Sequence, residues 1–205
     1  MDLVVRPALP LDPCVPLLFE SAKPYYTAYE GTEQRALKLL GTVFARPGHA
    51  ASYEFCRVAL LNNRVVGVVA GFPVRHADRL SRRFVSMTLR RLPPWALPGT
   101  FKHLRAAGNV SPHPPLDAFY VDALAVDAAY RRQGVARTLL RVAEQDAARA
   151  GCARIALDTG LHNHEARALY DAYGFWEREI RRAPDDRTAR ALGGPGFVGY
   201  LKDVG

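Results

Sequence analysis

The alternation of apolar and polar positions gives the first half of the chain a series of separate elements. Leu3–Arg6 reads as a short strand, and a proline-punctuated stretch (Pro7, Pro10, Pro13, Pro16) leads into a helix from Val15 to about Ala22. The aromatic segment 23–31, KPYYTAYEG, reads as a loop or a broken helix. Thr32–Ala45 has helical spacing, with Leu37, Leu40 and Phe44 as its inward stripe. Two strands, Phe55–Leu61 and Arg64–Phe72, flank Asn62-Asn63, a pair that tolerates the positive φ of a tight hairpin turn.

Residues 73–117 break this rhythm. Ser81–Arg91 suits a basic helix with Phe84, Met87, Thr88 and Arg91 on one side, which Pro93, Pro94 and Pro98 end. Thr100–Ala107 suits a second short helix, and 111–115 (SPHPP) a rigid extended connector. A connection of this length between neighbouring strands points to a lid or a binding excursion.

The second half is clearer. Ala118–Val126 (AFYVDALAV) is a strand by its β-branched, aromatic and apolar content. Gly134–Ala150 is a helix with Leu139, Leu140, Ala143 and Ala147 facing inward and Gly151 as its stop. Ala153–Asp158 (ARIALD) is a strand, and Asn163–Tyr173 a helix whose buried face is Ala166, Leu169, Tyr170 and Tyr173. Phe175–Ile180 and Phe197–Lys202 are final strands, with 181–196 between them a polar, Gly-rich loop. The strand–helix–strand–helix–strand order describes an α/β architecture with a mixed sheet. At 205 residues, a single domain is expected.

Composition narrows the function. With 49% hydrophobic and 23% charged residues the chain is globular in type, and no run approaches the ~18 apolar residues that span a bilayer. The N-terminal MDLVVRPALPLDP lacks a signal-peptide pattern, so a cytoplasmic location follows by elimination. Cys14, Cys56 and Cys152 are too far apart for a metal knuckle or a disulfide framework, and are expected as buried reduced thiols. The net charge of +8 is concentrated between Phe72 and Leu116, where eight basic residues, Arg82 and Arg83 among them, face a single acid, Asp78. Such a stretch draws anionic ligands or is plain solvated surface. Nucleic acid is a poor partner for it, because prolines interrupt the stretch and no recognised binding motif is present.

The segment that carries chemistry is Tyr130-Arg131-Arg132-Gln133-Gly134-Val135-Ala136, set between a strand and a helix start. The first turn of a helix has unpaired N–H groups and the positive end of its dipole. Small residues at Gly134 and Ala136 let a diphosphate approach those amides, and Arg131, Arg132 and Arg137 surround them with positive charge. Taken alone, the pattern also fits an ordinary tight basic turn.

The stretch FYVDALAVDAAYRRQGVARTLL, with its Arg131-x-x-Gly134-x-Ala136 loop, resembles the strand–loop–helix signature of the GNAT acetyltransferase superfamily. A second signature follows in order: Asn163, Ala166, Leu169-Tyr170 and Gly174-Phe175. The resemblance covers residues 118–176 and implies a mixed, mostly antiparallel twisted sheet splayed at its central strands and flanked by helices. It implies acetyl-coenzyme A as co-substrate, held at the diphosphate by the segment Gln133, Gly134, Val135, Ala136, Arg137 and Thr138. The backbone of Leu124, Ala125 and Val126 would bind the pantetheine arm, with Asn163 on the other side; Asn163 also suits the cap of its own helix. Tyr170 would stand near the thioester sulfur as proton donor, or else be an aromatic core residue. Asp122 lies where family members keep an acid near the substrate amine, and is read either as the base or as a structural carboxylate; Glu30 and Glu54 are weaker candidates. Strand alternation places Tyr120, Asp122, Leu124 and Val126 on one face.

The family resemblance implies an amine acceptor, a small molecule or peptide, bound by the first helices and the connection before the central strand. That nominates Tyr25, Tyr26, Tyr29, Tyr120, Arg82 and Arg83, the arginines suggesting an acidic group on the acceptor. His113, His162 and His164 lack metal-like spacing, and no metal is expected. Pairing into a homodimer through the C-terminal strands is a family habit. The competing reading is an acyl-coenzyme A binding module without catalysis.

Overall fold

A computed structural model describes residues 3–92 and 97–205. In chain order the elements are β1 (Leu3–Pro7), α1 (Val15–Ser21), α2 (Lys23–Glu30), α3 (Glu33–Phe44), β2 (Cys56–Leu61), β3 (Arg64–Pro73), α4 (Ala77–Leu89), α5 (Leu97–Val110), β4 (Ala118–Val126), α6 (Val135–Arg149), β5 (Arg154–Gly160), α7 (His164–Tyr173), β6 (Trp176–Arg182), α8 (Asp186–Leu192) and β7 (Gly196–Asp203). The seven strands form one sheet in the order β1-β2-β3-β4-β5-β7-β6. Only the β4–β5 pairing is parallel; the others are antiparallel.

Local chemistry explains most boundaries. Asn62 and Asn63 both take positive φ, 50° and 62°, in the turn of the β2–β3 hairpin. Thr32 caps α3 by accepting from Arg35 N–H. The buried stripe of α3 is Ala36, Leu39, Leu40, Val43 and Phe44, and Leu37 is only partly buried. Leu139, Leu140, Ala143 and Ala147 of α6 face the sheet as their spacing requires, in one core with Tyr170 and Phe175. On the other face α1 covers Val58, Val68, Ala70 and Ala123. Cys14, Cys56 and Cys152 are buried free thiols.

Three segments differ from the sequence expectation. Residues 23–30 form a regular helix: Pro24 sits in its first turn, where no N–H is required, and Gly31 ends it at φ 82°. The expected loop 181–196 contains α8, capped by Asp185 accepting from Thr188 N–H; only Leu192 of this short polar helix is buried, so it has almost no apolar period. Pro98 lies in the first turn of α5, starting a helix instead of ending one. Pro93 and Pro94 lie outside the described residues.

The feature that sets up the functional site is a β-bulge. Ala70 pairs with Ala123 and Gly71 with Val121, which leaves Asp122 as the extra residue of β4. The alternation of β4 therefore reverses at Asp122. Phe119 and Val121, then Leu124 and Val126, pack with α6, whereas Tyr120 and Ala123 belong to cores on the opposite face. Asp122 stands electrostatically beside Tyr25 and Tyr26 of α2. The expectation that Tyr120, Asp122, Leu124 and Val126 share a face is thus corrected: the first two look one way and the last two the other.

Gly71 makes this geometry possible. A Cβ there would collide with the Phe119 ring and lie 2.9 Å from Tyr120 O. Gly71→Ala is expected to destabilise the fold by about 1–3 kcal/mol through overpacking. The measurement is the denaturant midpoint, which should fall with little change in slope.

Candidate active site

Beyond Val126 the chain enters a 3-10 turn, Ala128–Tyr130, capped by Asp127 accepting from Ala129 N–H at 3.0 Å. Arg131 Nε then donates back to Val126 O at 3.3 Å, and Gln133 Nε2 to Ala129 O at 3.2 Å. Arg132 and Gly134 both adopt positive φ, 62° and 82°. The first backbone bond of α6 runs from Thr138 N–H to Gly134 O at 3.0 Å. The amides of Val135, Ala136 and Arg137 precede it and have no partner within the helix. Thr138 Oγ1 also donates to Gly134 O, at 3.3 Å.

Val135 is buried and anchors the turn, while Arg131, Arg132, Gln133 and Arg137 are exposed around it. No acid lies in the first turn of α6. A Cβ at Gly134 would meet nothing within 4 Å. Loop, amides and arginines together fit an anionic phosphate group.

β4 and β5 pair only over Ala118–Val121 and Arg154–Leu157. From Asp122 and Asp158 onward the two strands part, and the stretch 122–126 has no pairing to β5. Asn163 and Tyr170 stand on the far side of this split. Asn163 caps α7, accepting from Ala166 N–H at 3.2 Å, and its Nδ2 donates to Thr159 Oγ1 at 3.1 Å. Tyr170 is buried, edge-on to Phe175 and Tyr200, and its hydroxyl makes no hydrogen bond among the described residues. Burial, then the nearby Asp158 and Tyr200, push the Tyr170 phenol well above its ordinary range.

Two carboxylates meet at the mouth of the split. Asp122 keeps an exposed surface, yet protein atoms crowd its carboxylate. That crowding, and next the charge of Asp158, push it up to about 7. Asp158 is pushed up to about 6 by desolvation, against which Tyr120 works by donating its hydroxyl to Asp158 Oδ2 at 2.6 Å. Burial thus holds both carboxyls above the ordinary carboxylate range. Sequence reasoning missed Asp158; its one signal is an acid closing the strand ARIALD after the apolar run Ile155–Leu157. Beneath the connector, Asp158, Tyr120, Pro112 and His113 line a cavity of about 10 Å³, room for about one water.

The three tyrosines of α2 separate. Tyr25 and Tyr26 are half-buried near Asp122, with ring centroids 5.6 Å apart, and Tyr25 also packs on His103 at 4.9 Å. Tyr29 is buried, packed with Leu39, Val43 and Phe84, and its hydroxyl is bonded to Thr88 Oγ1 at 2.6 Å. Glu54 is likewise occupied, accepting from Gly48 N–H at 2.6 Å.

Arg82 and Arg83 are exposed on α4. The Arg83 guanidinium lies over Gly48, 3.2 Å from where a Cβ would stand, and no arginine is among the charges acting on Asp122 or Asp158. Among the described residues no group of three or more His, Cys, Asp or Glu is placed to hold a metal ion, and no helix is long and apolar enough to cross a membrane.

The sheet split at its centre and the β4–α6 strand–loop–helix unit describe an acyltransferase fold. The model of the acetyltransferase (GNAT) family matches residues 15–175, and the chain belongs to that family. It is an acetyl-coenzyme A-dependent acyltransferase. No curated protein sequence matches it. Among solved structures, one described as an acetyltransferase is 18% identical, with 98% of this chain and 100% of that chain covered and a TM-score of 0.68. An N-acetyltransferase from Staphylococcus aureus Mu50 is 17% identical, with 97% and 100% covered and a TM-score of 0.66. The ribosomal-protein-S18-alanine N-acetyltransferase from Escherichia coli is 17% identical, with 99% and 94% covered and a TM-score of 0.53. At these identities the likeness is one of fold.

Proposed function

We propose that this chain, as one domain, transfers an acetyl group from acetyl-coenzyme A to a primary amine by direct attack in a ternary complex. The carrying observation is that the β4–α6 loop and the acid Asp122 stand at opposite ends of the stretch of β4 that has no pairing to β5. Asp122 to Val126 is four residues, or about 13 Å of extended strand. A carrier with a diphosphate at one end and an acyl group at the other matches that spacing.

In this reading the amides of Val135, Ala136 and Arg137 hold the diphosphate, with Arg131, Arg132 and Arg137 adding charge. The edge of Leu124–Val126 that β5 leaves unpaired takes the pantetheine arm as an added strand would. Asn163 both caps α7 and borders the arm. Acetyl-coenzyme A supplies an already activated thioester. Asp122 accepts the proton that the acceptor ammonium must lose; the amine nitrogen forms the new bond to carbon as the carbon–sulfur bond breaks. A backbone amide of β4 faces the charge developing on oxygen. Tyr170 gives a proton to the departing thiolate and is made good by the second proton the nitrogen loses on forming the amide; burial pushes the phenol up, which keeps it protonated but makes it a weaker acid. No enzyme nucleophile is needed, in keeping with the burial that pushes Cys14 up to about 12.

Tyr170→Phe is expected to lower kcat about tenfold or more, with unchanged affinity for acetyl-coenzyme A. Steady-state kinetics and calorimetry on the same preparation check it. The reading as a whole is tested by following thiol release from acetyl-coenzyme A with a panel of amines, together with product mass. Amine-dependent thiol release with one acetyl added per thiol supports it. Tight binding without turnover of any amine would favour a binding module.

A further inference from the structure

We infer that the acceptor is a cationic amine carrying no acidic group, held between Asp122 and Asp158 and faced by Tyr25, Tyr26 and Tyr120. This rests on the acetyl-transfer reading and names the substrate class of that site. The last paired register of the split is Val121 with Leu157, so Asp122 and Asp158 are the first residues after the strands part. Neither takes part in an ion pair among the described residues; every acid in a salt bridge there is a different one. Among the described residues, the arginine that lines the Asp158 cavity is Arg178. Its guanidinium is engaged elsewhere, donating to His113 O at 2.6 Å and standing 3.8 Å from Glu179.

Two crowded carboxylates without a counter-charge are costly unless a ligand supplies one. A bound ammonium does so, and losing one proton to the pair makes it the nucleophile. The tyrosines complete the match: ring faces attract a cation, and their apolar surface suits an alkyl or aryl body. An acceptor carboxylate would instead meet two like charges, at a cost of several kcal/mol. The basic insertion offers no relief, because Arg82 and Arg83 do not act on the pair.

Matched pairs test this on the native protein at saturating acetyl-coenzyme A: 2-phenylethylamine against phenylalanine, tyramine against tyrosine, putrescine against ornithine, cadaverine against lysine. The best acceptor should be one of the amines, with kcat/KM at least ~100-fold above its amino acid. Asp158→Asn should raise KM for that amine about tenfold or more and leave the Kd of acetyl-coenzyme A unchanged. An amino acid that matches or beats its amine, or no turnover of any of the four amines by a protein that binds acetyl-coenzyme A, overturns the inference. So does an unchanged KM in a folded Asp158→Asn. The matched pairs decide the question without the variant if it does not fold. Failure of the native protein to bind acetyl-coenzyme A overturns the acetyl-transfer reading itself.

Discussion

Asp122→Asn is expected to lower kcat by about 100-fold or more, the scale of a lost general base. The substitution keeps the shape of the bulge residue and removes the proton acceptor. The native protein should gain activity as pH rises through about 7, where burial and Asp158 have moved the Asp122 carboxyl; the variant should lose that limb. Stability moves the opposite way. A carboxyl raised in the folded state binds more protons than its unfolded counterpart between about pH 4 and 7, so native stability falls across that window as pH rises. Asp122→Asn should therefore unfold at a higher temperature than the native protein at pH 8, with the difference shrinking toward pH 4. A variant that is inactive yet more stable at pH 8 separates catalysis from folding. A variant with native kcat and an unaltered pH profile would remove Asp122 from the mechanism.

Gly134→Glu is expected to raise the Kd for acetyl-coenzyme A by at least ~100-fold. Gly134 sits at φ 82°, where a side chain costs roughly 1–2 kcal/mol of strain. Nothing lies within 4 Å of the new Cβ, so the fold tolerates the change. The added carboxylate stands before the free amides of α6, where it competes for the same donors and repels phosphate. Calorimetry reads the loss, and an unchanged far-ultraviolet spectrum shows that α6 still forms. Gly134→Ala separates the two contributions: it brings the strain without the charge, and should weaken binding far less.

The parts of this site that lie close together in the chain were legible from sequence. The run from Ala118 to Arg149 reads as strand, loop and helix because its apolar period, its small residues and its arginines are all local signals, and the structure has those elements. Asn163 was read as suited both to a cap and to ligand contact, and it does cap α7. What sequence hid depends on pairing between distant segments. The reversal of faces at Asp122 follows from how β4 registers against β3, and only Gly71 hinted at close backbone approach there. Asp158 lies beside Asp122 because β5 pairs in parallel with β4 and the pairing stops one residue earlier. Tyr29 resembles Tyr25 in residue type and helical position, but its hydroxyl is claimed by Thr88, 59 positions away. Net charge likewise says nothing of direction, and α4 carries Arg82 and Arg83 on its exposed face.

Calorimetric titration of the native protein with acetyl-coenzyme A is the most direct test of an acyl carrier held along β4 and capped by α6. Saturable one-to-one binding at micromolar concentrations is predicted. No binding heat at millimolar ligand, by protein shown to be folded, would contradict it.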